Sequence, residues 1–324
     1  SKSIFDLIVG LRYDMYGING SVNISPAAGL PNPPFVPGRY VLDKDGGSFD
    51  PKVTLAAQVT DWLQPYITYS ESMRAPSVSE LFAGGTHPGA AGVGFAPNPF
   101  LNPESQKGIE VGANIKKDGL FTPTDSFRFK GDYYHMDVDN YIASCSTPLP
   151  VGRGTQYFCN TPGNSTVQGV ELQGMYDAGY FFAGLSYTYT HTNLPSQTDG
   201  FRAHSYVPEH TLVTSAGVRL LDRRATLGGR VSYFSESDVG EINVGGFYAG
   251  RYMPGYTLVD FFSTYKITEN FELGFNIDNV FNEDYTPALT TAFFDGPNCY
   301  GSNLPGCNST GMGRTFYLTA KAQF

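Results

Sequence analysis

The chain has 324 residues, a formal net charge of −9 and a pI near 5.0, a balance that argues against nucleic acid as its partner. Charged residues make up 16% of it and aromatic residues 15%, whereas soluble domains usually carry roughly 25% charged residues. The sequence has no run of about 18 apolar residues, which excludes a transmembrane helix. A membrane β-barrel is not excluded, because its strands alternate and never form such a run.

Alternating apolar and polar residues recur from the start of the chain and predict about twelve β-strands. The chain opens on such a segment, "SIFDLIVGLRYDMYG", with no signal-peptide pattern before it, which predicts a mature or truncated chain. In "GIEVGANIKK", Ile109 and Val111 fall on one face of the strand, while Glu110 and Asn114 fall on the other. Further strands are predicted at "FRFKGDYY", "VELQGMYD", "FFAGLSYTYTH", "FELGFNIDN" and "TFYLTAKAQF". No segment has a helical period, so the chain is predicted to be all-β.

The predicted connections alternate between short and long. Short ones fall near residues 61–64, 117–123, 178–179, 221–223 and 268–270. Long ones fall near residues 18–49, 75–102, 140–163, 193–209, 237–253 and 282–312. This alternation is typical of outer-membrane barrels, which have short periplasmic turns and long extracellular loops. A water-soluble β-sandwich is the alternative, but polar side chains on the second face and aromatic residues near strand ends favour an antiparallel transmembrane β-barrel.

The four cysteines, Cys145, Cys159, Cys299 and Cys307, all lie in predicted long loops. Neither neighbouring pair has CxxC spacing, and no histidine stands beside them at zinc-finger distance, so a metal site is not favoured. Two local disulfides in an oxidising compartment fit better, although four cysteines formally allow three connectivities.

Three motifs make the sequence resemble the TonB-dependent outer-membrane receptors. "SESMRAPSVSELF" matches the Arg-Ala-Pro box of that family, and "NPFLNPESQKGIEVG" matches its Asn-Pro box. "FNIDNVFNEDYTPAL" followed by "GRTFYLTAKAQF" resembles the family's last two strands. The matching residues of the first two boxes are Arg74, Ala75, Pro76, Asn98, Pro99 and Leu101.

That resemblance implies a 22-stranded barrel closed by an N-terminal plug domain. With about twelve predicted strands and no plug, residues 1–324 are expected to form one domain, the C-terminal portion of such a barrel. The resemblance also implies the outer membrane of a Gram-negative bacterium, contact with its lipids, and coupling to the TonB complex through a missing N-terminal part.

Arg74 is either a contact for the substrate or a structural partner of Glu80 or Glu104, and the structural interpretation is preferred.

A single histidine, His87, lies between the two boxes, in "GGTHPG". In the haem importers of this family, a loop between the boxes carries a histidine that binds the haem iron. The resemblance therefore implies that His87 is an axial ligand of transported haem, a role that suits neutral imidazole. Phe82, Phe95 and Phe100 flank it and are expected to pack on the porphyrin face. His135 and His191 are interpreted as residues of the barrel rim, and His210 as a structural residue. His204 lies in a long loop and is a weaker candidate for a second contact.

The sequence thus predicts active transport of haem, captured from a haemophore or haemoglobin at the long loops. The enzyme motifs GxSxG, HExxH and GxxxxGK[ST] are absent, so no enzymatic activity is predicted. A ferric-siderophore receptor of the same family is the first alternative, and a passive porin-like barrel is the second.

Overall fold

The structure is a computed structural model that describes residues 4–25, 34–86, 94–146, 155–194, 207–244, 247–287 and 311–323. Within these ranges it has one short helix, α1 (Val78–Phe82), and no helix with the length and apolar character needed to cross a membrane. The strands, in chain order, are β1 (Phe5–Ile24), β2 (Gly38–Ala57), β3 (Leu63–Arg74), β4 (Gly85–Thr86), β5 (Gly94–Phe95), β6 (Glu104–Asp118), β7 (Ser126–Asp139), β8 (Ile142–Ser146), β9 (Thr155–Asn160), β10 (Ser165–Asp177), β11 (Phe181–Thr192), β12 (His210–Leu220), β13 (Ala225–Phe234), β14 (Ser237–Val244), β15 (Phe247–Met253), β16 (Tyr256–Thr268), β17 (Phe271–Asp278) and β18 (Thr315–Ala322).

Twelve of these strands form one antiparallel sheet, in the order β1-β2-β3-β6-β7-β10-β11-β12-β13-β16-β17-β18. At one end of the sheet, which we call the turn end, the connections are short, and at the other, the loop end, they are long. The turns lie at residues 58–62, 119–125, 178–180, 221–224 and 269–270. The predictions of about twelve antiparallel strands and of alternating short and long connections are therefore confirmed.

The strand register gives this sheet two different faces. On one face, Val53, Tyr69 and Ile109 lie opposite one another across β2, β3 and β6. On the other, Thr54 and Thr68 are opposite, and their hydroxyl oxygens are 2.9 Å apart. The apolar face leaves large side chains uncovered, with Ile109 50% exposed, and such a face suits the hydrocarbon of a bilayer. We call it the outer face, and the polar one the inner face.

The first hairpin is longer than the sequence predicts. A loop is expected near residues 18–49, but β1 continues to Ile24 and β2 begins at Gly38. Along this extension, the inner-face residues Ile18, Val22 and Tyr40 pack against a buried apolar cluster. Their contacts outweigh the low strand propensity of the glycines in this stretch, which is why composition alone indicates a loop.

The prediction of an all-β chain is confirmed, apart from the single helical turn of α1. A capping box sets its start: the Ser77 hydroxyl accepts a hydrogen bond from the Glu80 N–H (3.2 Å), and the Glu80 carboxylate accepts one from the Ser77 N–H (2.6 Å). Five residues are too few to show a helical period. Only the Ser-x-x-Glu spacing in the sequence indicates this helix.

The long connections contain strands of their own, which the sequence predicts as loops. A four-stranded sheet has the order β4-β5-β9-β8, and β14 and β15 form a separate hairpin. These strands are held by partners within or between loops, which a local alternation pattern does not reveal.

Aromatic rings cover two glycines on the inner face. Phe182, Gly217, Gly228 and Phe262 form one row across β11, β12, β13 and β16. The two rings lie over the glycines, with their centroids 6.3 Å apart. A Cβ atom at either glycine would overlap the ring above it. The close approach therefore requires glycine at both positions.

Gly228→Ala is expected to destabilise the sheet by about 1–3 kcal/mol, the usual cost of overpacking. Its methyl group would overlap Phe262 and lie 2.7 Å from the Ala216 carbonyl oxygen. Gly229→Ala is the matched control, because the nearest atom to its Cβ would be the Asp260 carbonyl oxygen, at 3.3 Å. Thermal unfolding of the purified full-length protein in detergent measures the difference, and equal midpoints for the two variants would contradict the prediction.

Candidate functional site

Arg74 joins the Arg-Ala-Pro box to the Asn-Pro box at the loop end of the sheet. It is the last residue of β3 and the strand partner of Glu104, the first residue of β6. Its guanidinium donates to Glu104 from Nε (2.6 Å to Oε2) and from Nη2 (2.7 Å to Oε1). It also donates to both carboxylate oxygens of Glu80, each at 3.0 Å. One cation thus connects β3, β6 and α1.

Both carboxylates of this network are largely buried, with side chains 10% exposed for Glu80 and 11% for Glu104. Glu104 also accepts a hydrogen bond from the Ile142 N–H at 2.7 Å, which attaches β8. Burial acts to raise the pKa of Glu80, but hydrogen bonds from Arg74 and Ser77 outweigh it and hold that pKa below its ordinary value. Glu80 is therefore ionised at neutral pH, and these contacts give Arg74 the structural role that the sequence favours.

A buried apolar cluster lies beside the ion pairs. Leu42, Leu81, Leu101 and Ile142 are each at most 4% exposed and pack together. They come from β2, α1, the Asn-Pro box and β8, four segments that are distant in sequence. Phe82 packs against the cluster, so part of this predicted porphyrin contact is already covered by protein. The cluster and the ion pairs together hold both boxes in one arrangement.

Two asparagines bind the Asn-Pro box to the β8–β9 hairpin. Asn98 donates from Nδ2 to the Phe158 carbonyl at 2.7 Å, and its Oδ1 accepts from the Phe100 N–H at 2.9 Å. Asn160 donates to the Asn102 carbonyl at 3.0 Å and accepts from the Asn102 N–H at 2.8 Å. Asn98 is only 6% exposed, and its loss would leave the Phe158 carbonyl and the Phe100 N–H without these partners.

The four-stranded sheet carries both ends of the segment that contains His87. Thr86, the last residue of β4, pairs with Gly94, the first residue of β5. β5 pairs in parallel with β9, and β9 pairs with β8, where a disulfide joins Cys145 to Cys159. His87 itself lies outside the described residues. The chain immediately before it and the chain seven residues after it are both attached to this sheet.

Aromatic side chains cluster at the same end of the sheet. Phe100 lies edge-on to Phe35 and Tyr40, with ring centroids 6.1 Å and 5.3 Å apart, and Phe35 is 5.0 Å from Tyr157 of β9. Phe95 is half-buried in β5. The packing of Phe82 and Phe100 within the protein gives each a structural contact, and the predicted contact of Phe82, Phe95 and Phe100 with a porphyrin stays a prediction.

The structure describes only some of the other residues predicted to matter. Three of them lie outside the described ranges: Cys299, Cys307 and His204. His135 and His191 lie on the outer face near the loop end, in the register of Ile109. His210, interpreted from the sequence as structural, begins β12, with its Nδ1 2.9 Å from the Tyr187 hydroxyl. Across the described residues, no three His, Cys, Asp or Glu side chains are grouped to hold a metal ion.

Sequence reasoning misses the residues that hold the loops to one another. Phe35, Ile142 and Asn160 have no motif around them, and Asn160 bonds to a residue 58 positions away. The only local signal is composition: Asn160 begins the sequence "NTPG", and asparagine, proline and glycine are common in turns. Asn98 is identified through the family resemblance, without an indication of its partner.

Comparison with known proteins gives these features a context. The profile of the family described as "TonB dependent receptor-like, beta-barrel" matches residues 3–280. A Haemophilus influenzae protein named "Probable TonB-dependent receptor" is 30% identical over 271 residues, which cover 73% of this chain and 28% of that protein. A second H. influenzae protein, "Heme/hemopexin utilization protein C", is 29% identical over 254 residues, covering 74% of this chain and 35% of that protein.

A similar solved structure is the "double mutant of serratia marcescens hemophore receptor HasR in complex with its hemophore HasA and heme". It superimposes with a TM-score of 0.70 at 23% identity, over 99% of this chain and 49% of that chain. A superposition with that TM-score and that low an identity shows that the two chains share a fold, and nothing beyond the fold. The chain spans about a third of the length of the curated relatives that it matches, 35% and 28% of the two named above.

Proposed function

Because this chain belongs to the TonB-dependent receptor family and lies in its β-barrel region, we propose that it forms part of an outer-membrane receptor that imports haem. The name of one relative, a heme/hemopexin utilization protein, supports haem as the cargo. In this proposal the outer face contacts the lipids of a Gram-negative outer membrane and the inner face lines the barrel. The loop end is then extracellular, and the turn end is periplasmic.

The observation that carries the proposal is the anchoring of the segment around His87. That segment lies between two boxes that Arg74 binds together, and its ends at Thr86 and Gly94 are paired in one small sheet. Because both ends of the segment are paired, the region that its histidine can reach is limited to the loop end of the barrel. Neutral imidazole is a good axial ligand of haem iron, so His87 is proposed to capture haem there.

Transport then requires partners beyond this chain. We propose that a haemophore or haemoglobin delivers haem to the extracellular loops, and that the second axial ligand comes from a plug domain. Energy would come from the TonB complex acting on that plug, which moves and releases haem to the periplasm. The family consists of receptors, and the step involves ligand exchange at iron without covalent chemistry on the protein.

Two alternatives differ in their cargo or in their use of energy. A ferric-siderophore receptor would share the barrel and the boxes but would not need an imidazole ligand between them. A passive porin would conduct ions without a plug. The presence of His87 between the boxes, together with the haem-related name of a relative, favours the haem receptor.

A haem titration tests the proposal on the full gene product that contains this chain, below called the intact receptor. The Soret and visible bands are followed in detergent for the wild type and for His87→Ala. We expect a six-coordinate imidazole-type spectrum in the wild type, and a changed spin state with about tenfold weaker binding, or about 1.4 kcal/mol, in the variant. His191→Ala is the matched control, because His191 lies on the outer face and bonds to Glu209.

Each other outcome of this titration has a definite meaning. Identical spectra for the wild type and His87→Ala would remove His87 as a ligand while keeping haem as the cargo. The absence of haem binding by the wild type would overturn the haem proposal and favour a siderophore. Ion conductance by the purified intact receptor without any added ligand would favour the porin.

A further inference from the structure

A shallow groove of about 610 Å³ crosses the inner face toward the turn end of the sheet. Its lining comes from β6, β7, β10, β11 and β12. Lys116 of the groove is 12 residues along β6 from Glu104, or roughly 40 Å at about 3.3 Å per residue. The groove is therefore separate from the ion pairs of Arg74 and the apolar cluster that join α1, the Asn-Pro box and β8. We call that assembly the loop cluster, and the groove lies farther along the barrel wall. Its volume is in the range of about 300–1,000 Å³ that is common for small-molecule sites.

The strand register arranges the floor of this groove in two inner-face rows. One row runs through Asn114, Lys130, Gln173 and Ser186. The parallel row runs through Lys116, Arg128, Met175, Gly184 and Ser215. In both rows the side chains are cationic at the β6–β7 end and small at the β11–β12 end.

The cationic end places two like charges directly opposite each other. Lys116 and Arg128 are strand partners, an arrangement that is unfavourable unless an anion lies nearby. Arg128 pairs with Asp118 at 2.7 Å, but Asp118 is 65% exposed, and such surface pairs contribute little. Lys130 is turned to Glu110 and Asp132 instead. Among the described residues, Lys116 has no ion-pair partner, so its ammonium group is available to an anion that enters this end of the groove.

The side chains at the other end of the groove are small. Gly184 and Ser215 add little bulk there, with the Ser215 Oγ 3.1 Å from the position that a Cβ of Gly184 would take, so the groove is wide enough for a planar molecule. Met175 stands between the two ends and is 60% exposed, and its flexible thioether can pack on an aromatic ring. A ligand that fits this groove is therefore a flat apolar ring system with carboxylates on one edge.

We propose that this groove is a transit site for the cargo, in which the propionates of haem bind Lys116 and Arg128 while the porphyrin lies over Met175 and Gly184. The proposal rests on the proposed function, since haem combines a planar apolar ring with two carboxylates. Guanidinium and ammonium groups bind carboxylates through charge-assisted hydrogen bonds. Haem released at the mouth would pause here before it reaches the periplasm.

The test separates capture from internalisation in cells that produce the intact receptor. Haem and its dimethyl ester, which lacks the carboxylate charges, are supplied as probes to energised cells and to de-energised cells. The variant is Lys116→Gln with Arg128→Gln. Its matched control is Lys107→Gln with Lys117→Gln, which removes two cations from the outer face of the same strand.

We expect the groove variant to bind haem at the surface of de-energised cells like the wild type. Internalisation of haem by energised cells should fall at least about tenfold, because the loss of a single charge-assisted hydrogen bond is worth about that factor and the variant removes two cations. Uptake of the ester should be equal in the groove variant and the wild type. The outer-face control should match the wild type with both probes.

Three results would overturn the proposal in different ways. Unchanged haem internalisation in the groove variant would show that the groove is not on the path. An equal loss for haem and its ester would show that the cations bind another part of the receptor and not the cargo. Absence of surface binding in the wild type would instead contradict the proposed function itself.

Discussion

Arg74→Met is expected to lower the stability of the loop cluster by about 3 kcal/mol. That value is at the low end for removing one partner of a buried ion pair, because Arg74 is itself 40% exposed. The substitution keeps an unbranched side chain but leaves the carboxylates of Glu80 and Glu104, 10% and 11% exposed, without their shared cation. Since Glu104 also holds the Ile142 N–H, the loss should extend from α1 to β8.

Hydrogen exchange of the intact receptor is the measurement that localises this effect. Amides of α1 and β8 should lose protection in Arg74→Met, while those of central strands such as β12 and β13 keep it. Arg12→Met is the matched control, because Arg12 is 76% exposed and pairs with Asp14 at the surface, where a pair is worth less than about 1 kcal/mol. Equal protection of α1 in the two variants would contradict the proposed role of Arg74.

The same network should make the loop cluster sensitive to acid. The pKa of Glu80 lies below its ordinary value of 4.5 in the folded protein. Its contribution to stability is therefore complete above about pH 4.5 and is lost as the pH falls from there through the lowered folded pKa. In Arg74→Met the part of this contribution that comes from Arg74 is absent and the hydrogen bonds from Ser77 remain, so acidification over that range should cost the variant less protection than the wild type.

The sequence predicts the part of the fold that is built from successive alternating strands and the turns between them. Along "GIEVGANIKK" the alternation places Ile109 and Val111 on one face, and the register with β3 and β7 puts both on the outer face. Barrel strands pair with their neighbours in chain order, so once the alternation and the turns are located, the sheet order follows. The pairing of Cys145 with Cys159 can also be predicted from local sequence, since only 14 positions separate the two residues.

The loop cluster is not predictable in this way, because its contacts join distant segments. The sequence shows Arg74, Glu80 and Glu104 in two boxes but not that one guanidinium serves both carboxylates. The parallel pairing of β5 with β9 involves two residues on each strand, which is too short for any periodic signal. For the candidate site, the sequence therefore supplies His87 and the boxes, and the structure supplies the way in which the loops are joined.

Cys145→Ser with Cys159→Ser is expected to loosen the β8–β9 hairpin and to weaken haem binding, while the barrel strands keep their stability. A disulfide that closes a loop of about 15 residues stabilises by about 3 kcal/mol in the chain-entropy account, and this one spans a sequence separation of 14. Without it, β9 would lose order, and β9 is the strand to which β5 is paired. The base of the His87 segment would then be held less firmly, so more of the binding energy would be spent on ordering it.

Limited proteolysis and haem titration of the same purified variant test the two parts of this prediction. The hairpin should be cut faster than in the wild type, and haem should bind more weakly, with an unchanged six-coordinate spectrum at saturation because His87 is still present. Cys299→Ser with Cys307→Ser is the matched control, since it removes the other predicted pair and leaves β8 and β9 bonded. If the hairpin variant is cut faster but binds haem as tightly as the wild type, the loop sheet does not position His87, and its role is confined to holding the loops together.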